Sequence, residues 1–565
     1  MSPPPARPPV VCEVSLRARA VVGEPFFEPG PPLTLGRVGG VAAGAGDLVA
    51  VDVTGPGRGT VAERLGLVTD ASAVVHGLAL EAGVAAPWPD DVEAEAAALP
   101  RDPAPEAGRV DLRAVPTFTI DPADAGDHDD ALSTDGERVL VHIADVAAFV
   151  PEGGAIDREA ARRATSVYLP GRVDPMLPDR LSSGLCSLLA GRDRFALTVE
   201  IGPGPLRAYR SVIRSDHRLT YDEAEAMLAT GEGPAGLVAA LRRLDGIARA
   251  RAAARLARGG VAVETRQRSF RLEDGAVVSG TIRRSGPAHL LVEELMLAAN
   301  EAVAAELDAA GAPMPFRVHE PPEAGGLDVL TQRLEALQVP TPPQPPLPTP
   351  EQASRFAGLV SQSVSGYVAS SGRGRSAFPA MVLRALRKAR YDPHNLGHAG
   401  LASPAYCHFT SPIRRHPDLL VHRALLRHLG ALPTPPPDPV AVAAAAAHDS
   451  AAEREAELLE RTADDVCAAF LLERQLYEQG WDATFAGEVV GVIDSGAFVR
   501  FGGLFEGYLP GRSWAGELVD LDPLGVAVVG RRSGRRLRLG DPVEVAVRAV
   551  DRAAGRVRIR ASHAP

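Results

Sequence analysis

The period of the hydrophobic pattern changes several times along the chain. Residues 1–10 are Pro-rich and read as loose. From about 11 to 85, short apolar runs such as VCEVSLRARAVV, LTLGRV and DLVAVDV alternate with Gly and Pro, a spacing that predicts a small β-barrel. Residues 86–110 read as a short helix and linker. Between 111 and 432 the period switches repeatedly. TFTI (117–120) and VLVHIADVAAFV (139–150) read as strands, and the segments around 235–257 and 290–311 as helices. MVLRALRKARYD (381–392) reads as a helix carrying Arg384, Arg387 and Lys388. VPTPPQPPLPTP (339–350) can be neither a central strand nor a helix interior. PTPPPDP (433–439) is a stiff link into a long Ala/Glu/Arg-rich helix over roughly 440–479. Five short strands follow (FAGEVVGVI, GAFVRFG, LFEGYLP, DPVEVAVRAVD and RVRIRAS), the count of an OB-fold barrel. The expected architecture is an α+β multi-domain chain with a barrel at 1–85, a linker at 86–110, a mixed α/β domain at 111–480 and an OB-fold at 481–565.

Charge sharpens this division. The 565 residues carry a formal net charge of −11, which as a bulk property argues against a polyanion partner, although local fields matter more. Between 531 and 560 the last barrel holds ten arginines against Asp541, Glu544 and Asp551. An acidic protein ending in a basic module has the asymmetry of a nucleic-acid binder. Lys388 is the single lysine among 60 basic residues; arginine suits phosphate, but a coding bias gives the same ratio. Cys12, Cys186, Cys407 and Cys467 are far apart in sequence, so no zinc or redox pair is expected and free thiols in a reducing compartment follow. The N-terminus lacks a basic-then-apolar leader, and no uncharged apolar run of about 18 residues occurs. A soluble cytoplasmic protein without a membrane partner is expected.

The stretch DPADAGDHDDAL (121–132) places Asp121, Asp124, Asp127, Asp129 and Asp130 directly after the TFTI strand. Like charges so close raise one another's pKa unless something neutralises them. A helix–loop–helix calcium site starting at Asp127 needs Gly and Glu where Leu132 and Arg138 stand, so that reading fails. A magnesium site, a solvated acidic turn and an aspartyl-phosphate enzyme stay open, the last without partners to complete it. FTSPIRRHPDLLVHR (409–423) brings Arg414, Arg415, His416, Asp418, His422 and Arg423 to the start of a helix. Thr410 or Ser411 can cap that helix, with Pro412 in its first turn. Its arginines can face a phosphate there or form surface salt bridges, and both histidines read as structural. Tyr168, in TSVYLPGR, can stack on a base or simply pack a loop.

Taken together these segments resemble the ribonuclease II / ribonuclease R family of exoribonucleases. The resemblance runs in order through RVDLRAVPTFTIDPADAGDHDDAL, VHIADVAAFVPEGGAIDREAARRATSVYLPGR, LTYDEAEAML, HLLVEELMLAANE, FRVHEPP and YDPHNLGHAGLASPAYCHFTSPIRRHPDL to the final barrel. It covers roughly 109–562 and implies processive, Mg²⁺-dependent hydrolysis of single-stranded RNA from the 3′ end, releasing nucleoside 5′-monophosphates. One or two Mg²⁺ ions, with Mn²⁺ as a substitute, are implied; no organic cofactor is expected, and the chain is expected to be a monomer. The implied metal residues are Asp121, Asp127, Asp129 and Asp130, with Asp121 and Asp130 binding the principal ion, Asp127 supporting it and Asp129 activating water. Arg414 would stabilise the transition state, and Asp124 falls outside the motif. Tyr168 would stack on terminal bases, Tyr221 and Glu293 would read ribose, and Arg384, Arg387, Lys388, Phe485 and Phe498 would complete the RNA contacts. Three departures stand out. Val263 replaces a Phe that one branch has beside the Tyr, Glu460 is out of register for a late helical glutamate, and the N-terminal region is short, implying one degenerate barrel. The competing readings are a non-cleaving RNA-binding regulator with the same fold, and a phosphatase or nuclease acting on DNA or small nucleotides.

Overall fold

The computed structural model describes residues 8–17, 20–36, 43–103, 106–135, 138–202, 204–262, 267–283 and 285–562. Val263 lies outside them. The first module is a closed barrel rather than a degenerate one, built from Val10–Arg17, Ala20–Pro25, Leu33–Gly36, Asp47–Gly55 and Arg58–Leu67. Alternation puts Leu33 and Leu35 inside with Cys12, Val14, Val49 and Val51. The helix Ala71–Glu81 follows, capped by Asp70, which accepts the Ala73 N–H at 3.2 Å. Its first N–H, on Ala71, donates to the Gly275 carbonyl at 2.8 Å, docking the module onto the hairpin Gln267–Glu273/Ala276–Arg283. Gly275 sits at φ +79°, and a Cβ there would lie 2.5 Å from an Asp70 oxygen, so the junction requires glycine.

The central sheet has seven strands in the order His217–Thr220, Thr117–Asp121, Asp130–Asp135, Arg138–Ala144, Asp193–Ile201, Arg207–Arg214 and Val110–Asp111. The helices Ala235–Arg258, Pro287–Ala309 and His416–His428 pack with one face, and Ala155–Arg163 with the turn Arg180–Leu185 covers the other. Cover on both faces explains why all four residues of TFTI are buried, the threonines as well as Phe118 and Ile120. A polar row nonetheless crosses five adjacent strands through Thr117, Ser133, His142, Thr198 and Ser211, at successive distances of 2.7, 2.9, 2.9 and 2.7 Å. The Thr117 hydroxyl donates to the Val115 carbonyl. Ser133 therefore donates to Thr117, and His142 Nε2–H to Ser133. Burial pushes His142 down to about 3, which leaves the imidazole neutral with its Nδ1 accepting from Thr198.

The long helix runs from Pro439 to Gln479 and leads into a second closed barrel of Thr484–Ile493, Gly496–Phe501, Phe505–Pro510, Pro542–Asp551 and Arg556–Ala561. These are the five strands expected from the sequence. A three-stranded sheet, Val519–Leu521, Ala527–Gly530 and Arg536–Arg538, is inserted between the third and fourth of them and was not anticipated. Three expectations are corrected. The strand at 139–150 stops at Ala144 and continues as a 3₁₀ turn. The helix expected at 381–392 is Ala377–Ala385, because Arg390–Asp392 is drawn into pairing with Phe316–Val318; Arg387 and Lys388 lie beyond its end. Thr410 and Ser411 do not cap the later helix, which begins at His416 after a turn. Among the described residues, no helix is long and apolar enough to cross a membrane.

Candidate active site

The acidic loop joins two neighbouring strands of the sheet, leaving one at Asp121 and entering the next at Asp130. Because the two ends of the loop belong to paired strands, Asp121 and Asp130 are held together. Desolvation, then repulsion from Asp121, pushes Asp130 up to about 7. Asp121 Oδ2 lies 2.9 Å from Nδ1 of His128, yet both atoms are buried without a hydrogen bond of usable geometry. Two mutually repelling carboxylates with an orphaned oxygen fit a hard cation such as Mg²⁺, which keeps several waters and needs few protein ligands.

The four motif aspartates do not form a ready cage. Among the described residues, no three His, Cys, Asp or Glu side chains converge at ligand spacing. The alternating D-x-D-D run sends its members to different partners. Asp129 is 4% exposed. Its Oδ1 accepts the Ile413 N–H at 2.8 Å, and its Oδ2 lies 3.3 Å from Arg414 Nε. Burial raises its pKa well above the ordinary value, against the pull of Arg414 and Ile413. Asp127 accepts the Tyr168 hydroxyl at 2.6 Å. Asp124 is solvated, as expected, with Arg283 3.9 Å away.

Arg414 is aimed by its surroundings. Its carbonyl accepts the Ser166 N–H at 2.9 Å and the Thr165 hydroxyl at 3.2 Å, and its Nη2 donates to Ser411 Oγ at 3.1 Å. Arg415 turns inward instead, to Asp418 at 2.8 Å, and Asp418 also accepts the Ser411 N–H. His416 pairs with buried Asp449, and His422 Nε2 with the Phe409 carbonyl at 2.7 Å; both are structural, as read from the sequence.

Glu460, out of register by sequence, does reach the site. Its Oε1 accepts the Tyr168 N–H at 2.8 Å across 292 positions of chain. Tyr221 opens the helix Tyr221–Thr230 and stacks on His289, with centroids 3.8 Å apart and planes 12° from parallel. Glu293 lies one helical turn beyond His289 on Pro287–Ala309, so the same helix face presents both. That i, i+4 spacing was the available signal for His289.

The remaining predicted contacts lie elsewhere. Arg384, Arg387 and Phe498 line a separate cleft of about 830 Å³ beneath the second barrel. Arg387 is already paired, with Glu323 at 2.8 Å and Glu320 at 3.4 Å. Lys388 is exposed outside the cleft lining. Phe498 is half-exposed beside Tyr508, with ring centroids 5.6 Å apart, whereas Phe485 packs against Phe501 at 5.5 Å and serves the barrel interior.

A buried aspartate paired with a half-exposed arginine on a mixed sheet, joined by a long helix to an OB-type barrel, defines an RNB catalytic domain with an RNA-binding module. Residues 109–431 match the RNB domain and 479–562 the S1 RNA binding domain. The chain is 34% identical to ribonuclease R of Aquifex aeolicus over 540 residues, 91% of this chain and 74% of that protein. It is 35% identical to ribonuclease R of Escherichia coli over 500 residues, 82% of this chain and 59% of that one. The chain belongs to the ribonuclease R family of RNB exoribonucleases. Its fold matches Mycoplasma genitalium RNase R in complex with ribose-methylated single-stranded RNA, with a TM-score of 0.85 at 24% identity, covering 98% of this chain and 90% of that one.

Proposed function

We propose that this chain degrades single-stranded RNA processively from its 3′ end, with Mg²⁺ or, as a substitute, Mn²⁺, releasing nucleoside 5′-monophosphates. The observation that carries the reading is Asp129, a buried carboxylate fixed between the Ile413 N–H and Arg414 beside the repelling pair Asp121 and Asp130. When bound at that pair, the metal supplies charge neutralisation and Lewis acidity to the scissile phosphate. Asp129 orients the attacking water and accepts its proton as the water oxygen bonds to phosphorus; the P–O3′ bond breaks, and the departing 3′-oxygen takes up a proton from solvent. Arg414, whose side chain is 44% exposed while touching Asp129, offers its guanidinium to the charge that builds on the phosphate oxygens. Tyr168 presents a ring to a terminal base. Tyr221 and Glu293 read the ribose hydroxyl that separates RNA from DNA. The reading carries a monomer without organic cofactor acting in the cytoplasm, a compartment that suits four buried free cysteines.

Product analysis on 5′-labelled single-stranded RNA tests direction, processivity and end-product length together. Asp129→Asn is expected to cut hydrolysis by about 10³-fold or more and to leave RNA affinity within about threefold. Wild-type protein that binds RNA but releases no mononucleotide would instead support a non-cleaving regulator. Equal rates on RNA and DNA oligomers of one sequence would remove the ribose-reading roles.

A further inference from the structure

Five aspartates in ten positions repel one another, yet the loop that holds them is well defined from its backbone side. Arg218, on the edge strand His217–Thr220, places one guanidinium nitrogen against three loop carbonyls, those of Pro122 at 3.0 Å, Ala123 at 2.7 Å and Ala125 at 3.3 Å. The opposite flank is held by Ser187, which is fully buried. Its hydroxyl donates to the Gly126 carbonyl at 2.8 Å and accepts the His128 N–H at 3.0 Å. Between them, these two side chains occupy the backbone groups of Pro122, Ala123, Ala125, Gly126 and His128. The carboxylates of Asp121, Asp129 and Asp130 take no part in either clamp.

We propose that Arg218 is a positioning residue for the reaction: it clamps the acidic loop by its carbonyls and so presets Asp121, Asp127 and Asp129 before metal or RNA arrives. Two features make Arg218 more than a surface ion pair. Its partners are carbonyl oxygens of a single turn, so its contacts fix backbone geometry and not merely charge. It also sits three residues before Tyr221, on the strand whose Thr220 pairs in register with Asp121. The strand that fixes the loop therefore also delivers the side chain that faces the ribose. The loop carries no other cation at these carbonyls among the described residues; Arg283 reaches only Asp124, at 3.9 Å.

The proposal rests on the exonuclease reading only for its kinetic part. Arg218→Met keeps the stem and removes the donors; Arg218→Lys restores a cation with three. In metal-free protein, amide exchange at Ala125 and His128 is expected to quicken about tenfold or more in Arg218→Met, as local opening becomes easier, with the melting midpoint little changed because Arg218 is exposed. With MgCl₂ and single-stranded RNA, kcat is expected to fall about tenfold, a loss of alignment, with KM within about twofold. Arg218→Lys should recover most of both. Unchanged loop exchange in Arg218→Met overturns the clamp, whatever happens to hydrolysis. A kcat loss accompanied by an equal rise in KM, not rescued by lysine, overturns the positioning role. If wild-type protein releases no nucleotide, the exonuclease reading fails and the exchange measurement still decides the clamp.

Discussion

The acidic centre and the cleft beneath the second barrel treat charge in opposite ways. At the centre, three functional side chains are each held by other groups. Asp129 is held by Ile413 and Arg414, Tyr168 by Glu460 and Asp127, and Tyr221 by His289. In the cleft, Phe498 is half-exposed and Arg384 has no ion-pair partner among the described residues. Fixed groups suit bond breaking, where alignment and preorganised charge lower the activation barrier. Loosely held groups suit a strand that must slide, since stacking and phosphate contacts are tolerant of sequence. The two barrels make the same point. They share one strand order, yet the strands of the first contain no aromatic residue, whereas those of the second carry Phe498 beside Tyr508. Topology is common to both; aromatic rings on the strands are not.

The contrast can be broken by experiment. The largest effect belongs to the centre: Arg414→Ala should lower kcat about 10²–10³-fold, with RNA affinity little altered. An affinity loss as large as the rate loss would show that Arg414 grips and does not catalyse. Next is the sheet beneath the centre. His142 is neutral in the fold, with its pKa pushed down to about 3, and takes up a proton near 6.5 once unfolded. The unfolded state therefore binds more protons as pH falls below 6.5, and stability should decline toward pH 3 by an amount on the order of a few kcal/mol. Melting curves across pH 7 to 4 for wild type and His142→Gln check it: the variant should be less stable at pH 7 and show a shallower decline. A smaller effect is expected in the cleft, where Phe498→Ala should weaken RNA binding by about 1–3 kcal/mol with kcat at saturation unchanged. The smallest separates two neighbours. Arg384→Ala should reduce the salt dependence of RNA binding by about one phosphate contact, and Arg387→Ala by less, because Glu320 and Glu323 already neutralise it. Equal slopes for the two would remove the distinction.

Much of this was legible in the chain. The five strands of the second barrel announce themselves by short β-branched runs between turn residues, and the helices at 235–258, 287–309 and 439–479 by length and period. The helix expected at 381–392 failed because its last residues have a stronger use elsewhere: Arg390–Asp392 pairs with Phe316–Val318, and the Tyr391 N–H donates to Ser450 Oγ at 2.8 Å. Local pattern carries no information about a strand partner seventy positions away. Glu460 failed for a related reason, since a register along a 41-residue helix does not say which turn meets Tyr168, on the hairpin Val167–Leu169/Arg172–Asp174.

The sequence by itself determined which chemical groups are available: a run of aspartates behind a strand, an arginine pair before a helix, and a basic last barrel. Those follow from residue type and short-range period, which act over a few positions. Only the tertiary structure decided how the carboxylates divide their work. Asp129 meets the Ile413 N–H across 284 positions of chain, Asp127 meets Tyr168, and Asp121 and Asp130 are left facing each other. Hydrogen bonds and desolvation act over a few ångströms of space, so the distance along the chain does not enter them, and the roles of four similar side chains are set by what the fold brings beside each.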